Sequence, residues 1–343
     1  MGLDLAGHYR YPPPDPAWLA LAREEVIDPG LPIIDAHHHL WEEGGHAYLL
    51  DELAEDLACG HNVVATVLVQ AGYAYRSSGP AEFRSAGETE AVTSVAREAE
   101  RRGIEARLCA AIVSFADLTL GDRLEDVLDE HRRVADGRLR GIRHSVSYDS
   151  NFPDGIVLKP AQRYLLAEPA YRDGLKRLIA NDLSYEAMLY HQQLPELADM
   201  ARALPDLRIM LDHYGTPIGV GPYKTREKER FSDWRRDMTE LARCPNVHVK
   251  LGGLGMIITG AKWHERPAPP SSRELADSWK PWFETAIELF GAERCVFESN
   301  FPVDKAMYDY VTLWNAFKRL ASGASESERA ALFHDNAARF YRI

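Results

Sequence analysis

Pro32-Ile33-Ile34-Asp35-Ala36-His37-His38-His39-Leu40-Trp41 joins a short apolar run to three consecutive histidines. Read as a strand, the segment alternates its side chains between two faces, so His37 and His39 point one way and His38 the other. Two imidazoles then converge on one point. That suits a metal ion or a pair of proton-handling groups, because imidazole is both a borderline-soft ligand and a base that titrates near neutrality. A chance histidine run on a surface loop is the plainer alternative, but the run is neither terminal nor tag-like and a strand signal leads into it.

Outward from this run, apolar segments of strand length recur at 63–70 (VVATVLVQ), 107–114 (RLCAAIVS), 140–146 (RGIRHSV), 185–191 (YEAMLYH), 208–213 (RIMLDH), 247–252 (VHVKLG) and 295–299 (CVFES). Helical periodicity fills the intervals at 88–102, 122–134, 169–181, 192–203, 232–243 and 274–290. Strand–helix alternation predicts parallel pairing with crossover helices. Eight such units favour an α/β (β/α)8 TIM barrel over an open doubly wound sheet, and no GxGxxG follows the first strand. Residues 1–31, with Tyr11-Pro12-Pro13-Pro14, predict an N-terminal arm holding one short helix near Trp18–Val26, ahead of a barrel domain over 32–343.

His39, Gln70, Arg143, His144, His191, His213, Lys250 and Asn300 fall at the C-terminal ends of predicted strands, the rim where such barrels place their active sites. Segments 148–168, 215–231 and 259–273 are rich in proline, glycine and charge. They predict long loops on that same face, serving as lids and pocket walls or as contacts in a homo-oligomer.

Composition narrows the function. A 45% hydrophobic, 27% charged chain of 343 residues buries a sizeable core. Forty basic against fifty-two acidic residues, with no long basic run, argue against a nucleic-acid partner. No apolar stretch approaches bilayer length and the N-terminus lacks a leader pattern, so a soluble cytoplasmic protein acting on a small molecule is expected, with no membrane partner. Cys59, Cys109, Cys244 and Cys295 show no CxxC spacing and are expected as reduced, mostly buried thiols.

Five segments occur in order: Asp35-Ala36-His37-His38-His39, Gly141-Ile142-Arg143-His144, Leu211-Asp212-His213-Tyr214-Gly215-Thr216-Pro217, Val249-Lys250-Leu251-Gly252-Gly253-Leu254 and Phe297-Glu298-Ser299-Asn300-Phe301-Pro302-Val303-Asp304. Together they resemble the amidohydrolase-2 branch of the amidohydrolase superfamily, TIM-barrel hydrolases that include L-fuconolactonase and 2-pyrone-4,6-dicarboxylate lactonase. The resemblance covers residues 32 to about 340. It implies a hydrolase in which His37, His39 and His213 gather around a carboxylate from the eighth strand. The family's aspartate is replaced here by Asn300, and an amide is neither a general base nor a strong ligand for a divalent cation.

Three substitutes are in reach. Glu298 should share the inward face about 6.6 Å deeper, Asp304 follows in the loop above, and His144 or His191 could act as base. Glu298 has a structural alternative, a buried ion pair with Lys250. Arg143 offers donors to a substrate carboxylate or to the oxyanion of a lactone under attack, or pairs with Asp35 or Glu186. Trp41, Tyr73, Tyr75, Trp263 and His264 are candidates for an aromatic wall, or plain core. His37, His39 and His213 could hold one divalent cation, zinc first, although the resemblance also allows a metal-free site. Hydrolysis of a lactone or related cyclic carboxylate substrate is the leading expectation. Non-oxidative decarboxylation of an aromatic acid, or binding of a small acid without turnover, are the alternatives.

Overall fold

Eight parallel strands pair in the order in which the chain visits them: β1 (Ile33–His38), β2 (Val63–Val69), β3 (Arg107–Ser114), β4 (Leu139–Arg143), β5 (Ser184–Ala187), β6 (Ile209–Leu211), β7 (Val247–Leu251) and β8 (Cys295–Phe297). This computed structural model describes residues 11–43, 46–156 and 160–343. The ring nearly closes between its last and first strands. There a parallel bridge joins His38 to Phe301, Asn300 N donates to His37 O at 2.8 Å, and His39 N donates to Phe301 O at 2.8 Å. Asp35 adds a side-chain rivet, accepting from Ser299 N at 2.8 Å and from the Tyr310 hydroxyl at 2.9 Å.

A helix follows every strand: Leu50–Leu57, Ala86–Arg101, Arg123–Val134, Pro169–Ala180, Leu194–Ala203, Glu227–Ala242, Ser272–Phe290 and Tyr310–Leu320. The first and last fall outside the helical segments expected from the sequence: Leu50–Leu57 spans only eight residues, and Tyr310–Leu320 buries even its polar Thr312, Asn315 and Lys318. The helix expected from 232 begins at Glu227, which shortens the loop after β6. Among its described residues the arm is helical only over Pro16–Leu19, capped by Asp15, and the helix does not continue to 26. Beyond it the backbone finds partners in the barrel instead: Ile27 N donates to Asn315 Oδ1 at 2.8 Å, and Lys318 donates to the Ile27 and Asp28 carbonyls. The part of the arm before residue 11 lies outside the described residues.

Several strands stop short of their predicted ends, at 143, 187, 211 and 297. The chain peels away there into the rim loops. His213, Tyr214, Thr216 and Asn300 adopt left-handed backbone with φ of 53°, 55°, 45° and 55°. Non-glycine residues in that region cost of order 1–3 kcal/mol each and collect at functional sites.

The apolar core has two layers. Ile33, Leu68, Ile112, Ile142, Leu211, Val249 and Phe297 pack outward against the helices. Ile34, Ala36, Val67, Val69, Val113, Met210 and Val296 fill the interior, plugged by Phe340 and Tyr341 of the terminal helix Asn336–Tyr341. Simple alternation would place His38 with Ile34 and Ala36. An irregularity in the β1–β2 ladder between Asp35 and His38 shifts the phase, so that His37 turns inward above Ala36 while His38 bonds Thr66 Oγ1 at 2.9 Å outside the ring.

Candidate active site

From β4 onward the interior turns charged. Arg143, Glu186, Asp212, Lys250 and Glu298 each flank an outward-packed residue such as Ile142, Tyr185, Leu211, Val249 or Phe297, and all five are buried. Lys250 Nζ donates to Glu186 Oε2 at 2.6 Å and lies 3.2 Å from Asp212 Oδ1. Tyr341 donates to the other Glu186 oxygen at 2.6 Å. Arg143 reaches Asp212 Oδ2 at 3.4 Å and donates to the Gln70 carbonyl. The ion pair expected between Glu298 and Lys250 is therefore not formed, and Arg143 pairs with neither Asp35 nor Glu186. Glu298 and Glu186 each have a nearer basic partner, and Asp35 is satisfied by Ser299 and Tyr310.

Glu298 serves the histidines. His213 Nδ1 donates to its Oε1 at 2.6 Å, and His37 Nδ1 stands 2.8 Å from its Oε2. Burial alone would raise this carboxyl, but the two imidazoles hold it down at about 2. His39 Nδ1 in turn faces the Val69 carbonyl at 2.7 Å. Oxygen acceptors thus face Nδ1 of His213 and of His39, while His37 Nδ1 lies between Glu298 Oε2 and the Lys250 ammonium, 3.2 Å away. Burial, helped by Lys250, lowers His37 to about 4, and burial with His37 and Arg143 nearby takes His39 well below its usual value.

His37 stands between the other two rings. His37 Nε2 and His39 Nε2 are 3.2 Å apart, and the His37 ring centre lies 4.7 Å from those of both His39 and His213. Two nitrogens sharing one tetrahedral cation stand about 3.3 Å apart. Gly253 makes this approach possible: it has φ of +71°, and a Cβ there would collide with the His213 ring.

Asp212, which the sequence reading passed over, also brings a ligand atom within 4.8 Å of His37 and His213. Its Oδ1 has no hydrogen-bond partner, although Lys250 holds its charge. Its inward register on β6 was the available signal. Among the described residues, the buried acids Glu186, Asp212, Glu298 and Asp304 face only Arg143 and Lys250 as fixed cations, a deficit that a divalent cation would balance. The donor set that comes together, His37 and His213 with Asp212, therefore fits such an ion, with His39 Nε2 beside His37 Nε2 at 3.2 Å. Protons can cover the same deficit, because burial pushes Glu186 up to about 8 and Asp304 to about 7.

Asn300 does not face the histidines. Its Nδ2 donates to Asp304 Oδ1 at 3.1 Å, while the Tyr308 hydroxyl and Gly255 N donate to Asp304 Oδ2 at 2.7 and 3.2 Å. Asp304 lies within electrostatic reach of His213 and Glu298, so a carboxylate stands near the cluster after all. Tyr308 and Gly255, which hold it, had no motif to reveal them.

Other expected residues go elsewhere. His144 Nδ1 accepts from Leu118 N at 3.2 Å and the ring packs on Tyr171; it points away from its neighbour Arg143, as alternation requires. His191 Nδ1 accepts from Ile218 N at 3.2 Å and fixes the loop after β6. Gln70 contributes its backbone carbonyl. Trp41 sits in a short hairpin of Trp41–Glu43 with His46–Tyr48, opposite Tyr48. The loop carrying Tyr73 and Tyr75 is pinned by Glu88, which accepts from Ala71 N, Gly72 N and Tyr73 N. Trp263 lines a separate cavity.

The profile of the Amidohydro_2 family, described as "Amidohydrolase", matches residues 34–343. The chain belongs to the amidohydrolase family. It is a hydrolase of that family.

Among relatives, the uncharacterised protein y4mH of Sinorhizobium fredii is 35% identical over 333 residues, covering 91% of this chain and 98% of its own. An L-fucono-1,5-lactonase of Burkholderia ambifaria is 28% identical, covering 90% and 95%. The crystal structure of an amidohydrolase from Burkholderia multivorans with bound zinc superposes with a TM-score of 0.68 at 26% identity, covering 91% of this chain and 99% of that one. No helix among the described residues is long and apolar enough to cross a membrane.

Proposed function

We propose that this amidohydrolase hydrolyses a lactone, most plainly the cyclic ester of a hydroxylated or carboxylated acid. The observation that carries the reading is the convergence of His37 and His213 with Asp212, with His39 Nε2 3.2 Å from His37 Nε2. The lactonase relative supports the same substrate class.

In this reading His37, His39 and His213 hold a divalent cation, zinc first, and the chemistry such an ion supplies is carbonyl polarisation and acidification of water. Arg143, 8% exposed at the edge of the cluster, binds a substrate carboxylate or the oxygen that gains charge under attack. Asp304 in its ionised form takes the proton of the attacking water. The acyl–oxygen bond of the ring then breaks, and Asp304 returns the proton to the departing ring oxygen, leaving a hydroxy acid. Asn300 and Tyr308 hold Asp304 in place, so Asn300 acts as a positioning residue. Lys250 keeps Asp212 and Glu186 neutralised beneath the cluster.

The test is turnover of sugar-acid 1,5- and 1,4-lactones by the purified protein, with His213→Ala alongside. Lactone opening lost in His213→Ala is expected, with kcat/KM rising with pH through about 7 as Asp304 loses its proton. Undiminished turnover in the variant would remove the cluster from the reaction. Carbon dioxide release from aromatic acids, with no lactone opening, would replace this reading by decarboxylation.

A further inference from the structure

Beside the histidine centre, between the loops that leave β6 and β7, lies a cavity of about 430 Å³ whose lining includes none of the histidines. Its size is that of a small-molecule site. Four cations line it, Lys224, Arg230, Lys262 and Arg266, against one carboxylate, Glu227, which is exposed. Lys262 and Arg266 already meet Glu265 and Glu274, each at 2.8 Å. Arg230 has no such partner among the described residues. Its Nη1 donates to the Thr259 carbonyl at 3.1 Å, and its Nε is buried with no partner.

A guanidinium drawn out of water without a counter-charge is costly, and an anion in the cavity would supply it. Three tryptophans, Trp263, Trp279 and Trp282, form an aromatic part of the wall. Arg230 lies 5.7 Å from the ring centre of Trp282, which is itself wedged against Trp234 and Phe231 at 4.6 and 4.9 Å. Arg266 lies over Trp263 at 5.2 Å. Buried Trp279 completes the wall. The back is sealed where Gly219 N donates to Ile258 O at 2.7 Å, and a Cβ on Gly219 would collide with the Thr259 carbonyl and the Arg230 guanidinium.

We propose that this cavity is a second small-molecule site, built for a small aromatic carboxylate. The carboxylate meets Arg230 and Lys224, and the ring lies against Trp263 and Trp282. The site also touches the reaction centre. Trp279 packs on Tyr308 at 5.5 Å, and the Tyr308 hydroxyl holds Asp304.

Benzoate is the probe, followed by tryptophan emission in the full chain, with inorganic phosphate and benzamide supplying charge and ring separately. Saturable quenching by benzoate is expected, with both controls weaker. Arg230→Gln should weaken binding roughly ten-fold or more, and Lys224→Met, on the exposed rim where folding is not at stake, by a few-fold. His213→Asn should leave benzoate affinity unchanged. The proposal falls if benzoate does not saturate the signal, if phosphate binds as tightly as benzoate, if a folded Lys224→Met and Arg230→Gln both bind as the parent does, or if His213→Asn abolishes binding, since the ligand would then sit at the histidines.

Discussion

The two arcs of the barrel interior follow opposite rules. β1–β3 fill their share with Ile34, Ala36, Val67, Val69 and Val113, whereas β4–β8 turn Arg143, Glu186, Asp212, Lys250 and Glu298 inward. The apolar arc holds the ring together by burial alone, worth about 1.5–3 kcal/mol for each large side chain. The charged arc gains little from its ion pairs, because desolvation offsets their attraction, and it must be neutralised within itself. Even along β6 and β8 and the residue that follows each the change is visible: Met210 and Val296 are apolar, and two residues later Asp212 and Glu298 are not. Fixed charge is thus confined to one arc, and β1 contributes His37 to the same end of the ring.

Lys250→Met breaks this arrangement most severely. It leaves Glu186 and Asp212 without their shared cation, and removing one partner of a buried ion pair costs about 3–5 kcal/mol. With the lysine gone, both carboxyls would be raised in the folded state. The folded protein then holds extra protons below those raised values, and stability falls as pH rises through them. Urea unfolding at pH 5.5 and pH 8 should therefore show the larger deficit at pH 8. A variant as stable as the parent at both would mean that the charged arc is not coupled through Lys250.

Asp304→Asn separates function from stability within the same arc. The amide preserves shape but cannot take a proton, so kcat for lactone opening should fall by ~10²–10⁴ and the acidic limb of the pH profile should disappear. Burial raises Asp304 to about 7, above its ordinary 3.8. Its contribution to stability is therefore complete below the unfolded value and lost as pH rises through 7. Replacing it by a neutral amide removes that loss, so the variant should melt no lower than the parent at pH 8. A slow but pH-dependent variant would move the base to another group.

The two arcs were unequally legible in the sequence. Parallel strands, their order and the rim position of His37, His39 and His213 follow from the period of apolar runs and from five motifs in order. Lys250, Arg143 and Glu298 were recognisable as inward charges, but their partners were not. Which acid meets which base depends on distances across the ring, and these placed Lys250 with Glu186 and Asp212 rather than with Glu298. His144 and His191 looked equivalent to His213 because strand ends were extended past the points where the backbone turns away. Asn300 was read as a vacancy in the ligand set. Its left-handed backbone instead turns the amide onto Asp304, and no local pattern predicts that conformation for a non-glycine residue.

The gentlest test lies in the apolar arc. Ile34 is 2% exposed and sits three residues before His37, below the point where β1 shifts phase. Ile34→Val removes one methylene and should cost about 0.5–1.5 kcal/mol in unfolding free energy. Yet kcat/KM should stay within about two-fold, because His37 is oriented by Glu298 and His39 by the Val69 carbonyl, not by the packing beneath them. A fall in kcat/KM much larger than the stability loss would show that the irregularity in β1, and hence the aim of His37, is set by how tightly Ile34 fills the interior. The apolar arc would then belong to the catalytic apparatus, and the division between the two halves of the ring would be one of composition only.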